Sequence, residues 1–322
     1  MEPTPTVSVI LPTYNRAAML AEAIASVRAQ TFADWELIVV DGGSTDETEA
    51  TVRALTREEP RLRYLRQPQG GVSKARNAGI KATQGRYVAF LDDDDMYLPE
   101  KLALQVAHLT QRPGVGFVYG QNEWVTREGK SLGVHPQQPA GNLRELFEHC
   151  AVTLQTVLCR RGLLTQAGGF DESLSIGEDY DLWLRLARLT KFEFMPRVLV
   201  RYRVHGANTC NDSIRLYEQR VIVLKRVSLD PARGITTGLK RRRLAINEYR
   251  LARLYRQQPD CLRAARHFVA ALRYDPLVGV RMADPRPSGL DGVWVALKPY
   301  LAVIALSCLS VVSRKHRVVV QP

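Results

Sequence analysis

A chain of 322 residues, 45% apolar and 24% charged, is long enough to bury a full core and is ordinary in composition for a globular protein. Its five cysteines (Cys150, Cys159, Cys210, Cys261, Cys308) are scattered with no C-x-x-C pair. That argues against structural zinc and a disulfide framework and suits a reducing cytosol.

The residues before the first strand carry no basic n-region, so no secretory signal is expected. That strand, Val7–Leu11, leads to a helix with Met19, Leu20, Ile24 and Val27 at helical spacing. A second strand, Glu36–Val40, ends at Asp41-Gly42-Gly43-Ser44-Thr45-Asp46, and a helix follows over Thr48–Glu58. A third strand, Leu62–Leu65, passes through Gly70-Gly71 into a helix near residues 73–83. The fourth, Tyr87–Leu91, is short, aromatic and branched, and runs into Asp92-Asp93-Asp94-Asp95. This alternation predicts an α/β fold with a largely parallel sheet and helices on both faces. Val115–Tyr119 and Leu154–Leu158 read as further strands.

Four carboxylates at the carboxyl end of a strand repel one another unless a cation or a solvated opening relieves them. That edge is also where open α/β sheets bind ligands. Mg²⁺ and Mn²⁺ favour such oxygen donors and bridge them to substrate phosphates. A solvated acidic turn leading into a helix near Pro99-Glu100 is the plain alternative.

Beyond residue 210 the chain turns to Arg-rich amphipathic helices. Residues 1–210 hold 24 Lys and Arg against 25 Asp and Glu, a net of −1, whereas residues 211–322 hold 21 against 8, a net of +13. The asymmetry suits an anionic surface, lipid headgroups or nucleic acid. Residues 251–276 resemble one tetratricopeptide helical hairpin, a possible protein-partner surface, with an ordinary helical pair as the alternative. The segment 293–313 is apolar apart from Lys298, and Arg314-Lys315-His316-Arg317 follows it. It reads as a membrane-interfacial anchor or a buried core helix.

Taken in order, Val9–Arg16, Val40–Asp46, Lys74–Ile80, the aspartate run, Gly168–Glu172 and Gly177–Arg185 form a set that resembles the family 2 glycosyltransferases of the GT-A fold, over roughly residues 5–210. The resemblance implies a GT-A (Rossmann-like), mostly parallel sheet with flanking helices as a catalytic domain over 1–210, ahead of a basic α-helical region over 211–322. It also implies an inverting, Mn²⁺- or Mg²⁺-dependent transfer of sugar from a nucleoside-diphosphate donor to a saccharide or lipid-linked saccharide acceptor. The resemblance further implies work in cell-surface polysaccharide or glycolipid synthesis, with a cytoplasmic, peripheral location on the inner face of the plasma membrane expected from the basic, apolar-ended tail.

Residue by residue, Pro12, Tyr14, Asp41, Lys74, Arg76, Asp92 and Asp93 fall on the donor side. Tyr14 offers a flat face to a base and Asp41 accepts from a base or ribose; loop packing and a helix cap are their alternatives, with Ser44 and Asp46 the better caps. Lys74 and Arg76 lie near the diphosphate, or on a solvated helix face. Asp94 is the implied principal metal ligand, with Asp92 and Asp93 facing ribose and metal-bound water and Asp95 capping the next helix. His205 completes the metal site or is structural. Asp179 is the implied general base, with Glu178 and Asp181 orienting it and the acceptor. Gly42 departs from the family, which commonly has an acid there, so the base is left open. Two rival readings are an idle domain beside a binding module and a nucleotidyltransferase. No aromatic-interleaved basic motif favours nucleic acid, and Pro12–Arg16 is not the Gly-rich loop a nucleotidyltransferase needs.

Overall fold

The computed structural model describes residues 4–282 apart from 136–138, 151, 207, 209–211 and 259; the segment 293–313 lies outside them. The chain divides into two compact units, Met1–Asn208 and Thr209–Pro322.

The first unit runs β1 (Val7–Thr13), α1 (Ala17–Arg28), β2 (Trp35–Asp41), α2 (Thr48–Glu58), β3 (Leu62–Arg66), α3 (Val72–Ala82), β4 (Tyr87–Phe90) and β5 (Met96–Tyr97). It continues with α4 (Lys101–Gln111), β6 (Val115–Val125), β7 (Ser131–Val134), α5 (Leu143–Glu148), β8 (Leu158–Arg160), α6 (Arg161–Gln166), α7 (Glu178–Leu189) and β9 (Lys191–Arg203). The sheet order is β3-β2-β1-β4-β8-β6-β9-β5, with β7 added to β6. The β3-β2-β1-β4 half is parallel. The antiparallel β8 lies between β4 and β6, so β6 and β9 run in the same sense as β4.

β1 and β2 are buried throughout, as strands covered on both faces must be. Val7, Val9 and Leu11 share a cluster with Leu20, Ile24 and Val27 of α1. Ile10, pointing the other way, packs on Gly79 of α3, where a β-carbon would lie 2.4 Å from its Cγ2. Helices therefore cover opposite faces of one strand. Pro12 sits in this central strand without loss because pairing to β4 stops at Ile10↔Phe90, two residues earlier.

Leu154–Leu158 is not the strand its pattern predicts. Leu154–Thr156 forms a 3₁₀ turn, with the Thr156 hydroxyl donating to Thr153 O (2.7 Å), and the strand begins at Leu158. β6, in contrast, runs six residues past Tyr119, to Val125, because β9 pairs with it to Val125↔Arg203.

The second unit contains α8 (Ser213–Arg226), α9 (Thr237–Arg256), α10 (Cys261–Tyr274) and α11 (Val278–Arg281). Asp212, Thr236 and Asp260 cap the first three by accepting from Arg215 N, Leu239 N and Arg263 N. Ala245, Tyr249 and Ala252 of α9 meet Phe268 and Ala271 of α10 in a small core. α9 begins at Thr237, well before the predicted hairpin, because the run Lys240–Arg243 hides its apolar period from the sequence. No helix of the described residues is long and apolar enough to cross a membrane.

Candidate active site

The four aspartates leave β4 and each finds a different partner. Asp92 Oδ1 accepts from Arg76 Nη2 (2.7 Å) and Oδ2 from Gln155 Nε2 (2.5 Å). Asp93 Oδ2 accepts from the Thr13 hydroxyl (2.8 Å) and Oδ1 from Arg16 Nη1 (3.3 Å). Asp94 Oδ2 is bonded by the same Arg16 Nη1 and lies 3.0 Å from His205 Nε2. Asp95 Oδ1 accepts from Arg203 N (2.8 Å) in the last residue of β9. Asp95 therefore ties β4 to β9, where the sequence suggested a cap for α4. Repulsion within the run is relieved by two arginines and by dispersal.

Burial still leaves its mark. Desolvation, with lesser help from neighbouring carboxylates, pushes Asp93 up to about 7. It raises Asp92 despite the opposing Arg76, and raises Asp95 well above the usual carboxylate range.

Arg76 is the hinge of the site. Its guanidinium is buried, donates to Asp92 and, through Nη1, to Glu178 Oε1 (2.5 Å), and lies over the Phe170 ring. Burial alone would lower its pKa, but Asp92 and Glu178 outweigh that and raise it. Arg76 is a buried strut between β4 and the start of α7, with both ends of its fork engaged by carboxylates. Glu178 reaches Arg76, and Asp181 pairs with Arg185 one turn on (2.7 Å). Asp179 follows Glu178 directly, half-buried in the first turn of α7.

The remaining predicted residues are spread around the same sheet edge. Tyr14 is exposed at the tip of β1, next to Gly42. Asp41 is fully buried, its Oδ1 accepting from Ser44 N (2.8 Å) and its Oδ2 from the Tyr64 hydroxyl (2.5 Å). It shapes the loop after β2, with its carboxylate turned inward. Asp46 accepts from Thr48 N (3.0 Å) at the start of α2, while Ser44 Oγ accepts from Asn15 N (2.9 Å). Pro12 is buried in β1, and exposed Lys74 lies over Gly70. Asp92 and Asp93 both meet protein partners, and the Asp92 side chain remains 27% exposed.

Sequence reasoning passed over several residues. Asn15, at φ 53°, accepts from Thr45 N (2.8 Å) and binds the β1 and β2 loops together. Asn77 accepts from Phe170 N (2.8 Å) and donates to Phe170 O (2.9 Å), which docks the Gly168–Glu172 turn on α3. Phe170 then stands edge-on to Phe90, 5.3 Å between ring centres. Arg16 and Asn15 lay within a motif already singled out; Gln155 had no signal, hidden in an apparent strand.

Among the described residues no three His, Cys, Asp or Glu side chains group closely enough to hold a metal unaided. The convergence of Asp94 Oδ2 and His205 Nε2, one carboxylate oxygen and one imidazole nitrogen, both nearly buried, suits a cation whose other positions are filled by phosphate oxygens and water.

Residues 8–163 match the glycosyl transferase family 2 model. An uncharacterised glycosyltransferase of Rickettsia prowazekii (strain Madrid E) is 35% identical over 228 residues, covering 67% of this chain and 69% of the relative. The hyaluronan synthase of Pasteurella multocida is 28% identical over 72% of this chain, but only 24% of its own length is matched. In structure, S. aureus TarS 1-349, solved in complex with UDP-GlcNAc, superposes with a TM-score of 0.65 at 22% identity, over 92% of this chain and 90% of that one, a likeness of fold. The family match and the glycosyltransferase relative make this chain a glycosyltransferase, built on a mixed α/β sheet with flanking helices. The chain belongs to glycosyl transferase family 2.

Proposed function

We propose that the chain is an inverting, divalent-metal-dependent glycosyltransferase that moves a sugar from a nucleoside-diphosphate donor to an acceptor hydroxyl, in the synthesis of a cell-surface polysaccharide or glycolipid. The observation that carries this reading is the Asp92–Arg76–Glu178 bridge, which brings the acid-rich start of α7 to the end of β4. A group to hold the donor and a group to activate the acceptor then share one opening. Asp94 and His205 would hold Mn²⁺ or Mg²⁺. Bound there, the cation supplies charge neutralisation for the departing diphosphate.

Asp179 takes the proton of the acceptor hydroxyl as that oxygen bonds to the anomeric carbon. The bond to the diphosphate oxygen breaks on the opposite side, through an oxocarbenium-like transition state, which inverts the anomeric centre. Arg76 and Glu178 position the start of α7 without touching substrate, and Tyr14, exposed on the neighbouring loop, offers a stacking face to the base. The name of the hyaluronan synthase relative supports a polysaccharide product. The basic second unit supports work at an anionic membrane surface, and its helical pair a docking place for a protein partner.

Asp179→Asn is expected to keep donor affinity, measured by calorimetry, and to lose transfer by roughly 10²–10⁴-fold. Near-normal transfer by that variant would remove Asp179 from the mechanism. Asp94→Ala is expected to abolish the metal dependence of donor binding in the same assay.

A further inference from the structure

Arg16 Nη1 bonds Asp94 Oδ2 and lies 3.3 Å from Asp93 Oδ1, and the oxygen it bonds on Asp94 is the one His205 Nε2 approaches to 3.0 Å. A divalent cation bound to that oxygen would sit about 2.0–2.6 Å from it. A guanidinium on the same lone pairs would then face the cation within a few ångströms, a strong like-charge repulsion. The two cannot occupy Asp94 Oδ2 together.

A second observation concerns where Arg16 stands. It is the N-cap residue of α1, with φ −141° and ψ 39°, and its side chain makes no capping bond. N-caps favour short oxygen-bearing side chains, and the positive end of a helix disfavours a cation. Helix formation therefore does not explain an arginine here, whereas the acid pair does.

We propose that Arg16 is a resident counter-ion that competes with the divalent cation for Asp94 and is drawn off by the donor's diphosphate, so that metal and donor enter together. Its side chain is about one-quarter exposed and belongs to the loop between β1 and α1, so it can swing from the carboxylates toward an anion beside the α1 N-terminus. Diphosphate and metal then bind with positive coupling, because each removes what opposes the other. This inference rests on the metal-dependent reading above, and deepens it.

The test is Mn²⁺ affinity measured by electron paramagnetic resonance of free Mn²⁺, with and without a nucleoside diphosphate, in the full chain. Wild type is expected to bind Mn²⁺ weakly alone and at least about tenfold more tightly with nucleotide. Arg16→Gln should bind Mn²⁺ alone about tenfold more tightly than wild type and lose most of the gain from nucleotide. Arg16→Lys, which keeps the charge, should stay close to wild type and serves as the second variant should Arg16→Gln fold poorly. Equal Mn²⁺ affinity and equal coupling in wild type and Arg16→Gln, with binding still lost in Asp94→Asn, would overturn the inference while leaving the metal site standing. If wild type takes up no Mn²⁺ even with nucleotide, or if Asp94→Asn binds it unchanged, the metal reading itself fails and the inference with it.

Discussion

At the scale of single residues, the site separates groups whose chemistry can be read from the sequence from groups whose role depends on distant partners. Asp94, Asp179 and His205 lie in the segments from which the proposed ligand and base roles are read. Arg76 was legible only as a cation, because its partners lie 16 and 102 positions away. With its side chain 5% exposed, removing it leaves nearly buried Glu178 and partly buried Asp92 without their counter-charge. Arg76→Met is therefore expected to cost about 3–5 kcal/mol in urea denaturation. Adding Glu178→Gln to that variant should recover part of the loss, which a double-mutant cycle reads directly. Glycines divide in the same way. A β-carbon on Gly85 would lie 2.6 Å from Ser8 N and 2.8 Å from Val7 C, both backbone atoms that cannot yield. One on Gly42 meets nothing closer than Thr13 O at 3.6 Å. Gly85→Ala should destabilise by about 1–3 kcal/mol, and Gly42→Ala should stay within about 0.5 kcal/mol of wild type. Gly42 is thus not demanded by the backbone.

At the scale of elements, β1, β2 and β4 were legible because strands buried on both faces write continuous apolar runs, and α2 forms over the predicted Thr48–Glu58. Elements that serve the site were harder to read. Residues 154–158 carry apolar spacing fit for a strand, yet a 3₁₀ turn there aims Gln155 at Asp92. Lys101, the first residue of α4, is the sharpest case of a charge with no sequence signal. It is fully buried, its amine donating to Gln105 Oε1 (2.7 Å) and Val157 O (3.3 Å). Burial holds its pKa well below the usual lysine value, and the positive end of the helix works in the same sense. Between that lowered value and the unfolded value of about 10.4 the folded protein binds fewer protons than the unfolded chain. Stability contributed at this position must then rise with pH through the window. Urea midpoints taken between about pH 7 and pH 10 should show wild type gaining on Lys101→Met as pH rises. A constant difference between the two proteins would mean that Lys101 is not neutral in the folded state.

At the scale of the whole molecule, a near-neutral α/β unit is joined to a basic helical one, and the charge was the most legible property of the second unit. Its packing was not, because arginines interrupt the apolar period of α9 just where Leu244 and Ala245 turn inward. Over residues 212–282 there are 16 Lys and Arg against 6 Asp and Glu. Arg242, Arg253, Arg266 and Arg273 are exposed. Each basic side chain close to an anionic bilayer is worth about 1 kcal/mol, and the attraction fades beyond a Debye length of about 8 Å at physiological salt. The full chain should therefore sediment with vesicles rich in anionic lipid and not with neutral ones, and should be released as salt rises. Replacing these four arginines by glutamine should cut partitioning by about tenfold or more, and leave transfer to a water-soluble acceptor unchanged, since none belongs to the β4–α7 site. Equal binding to neutral and anionic vesicles would mean that the charge asymmetry serves something other than a lipid surface. Loss of soluble transfer in the four-fold variant would instead tie the second unit to the chemistry.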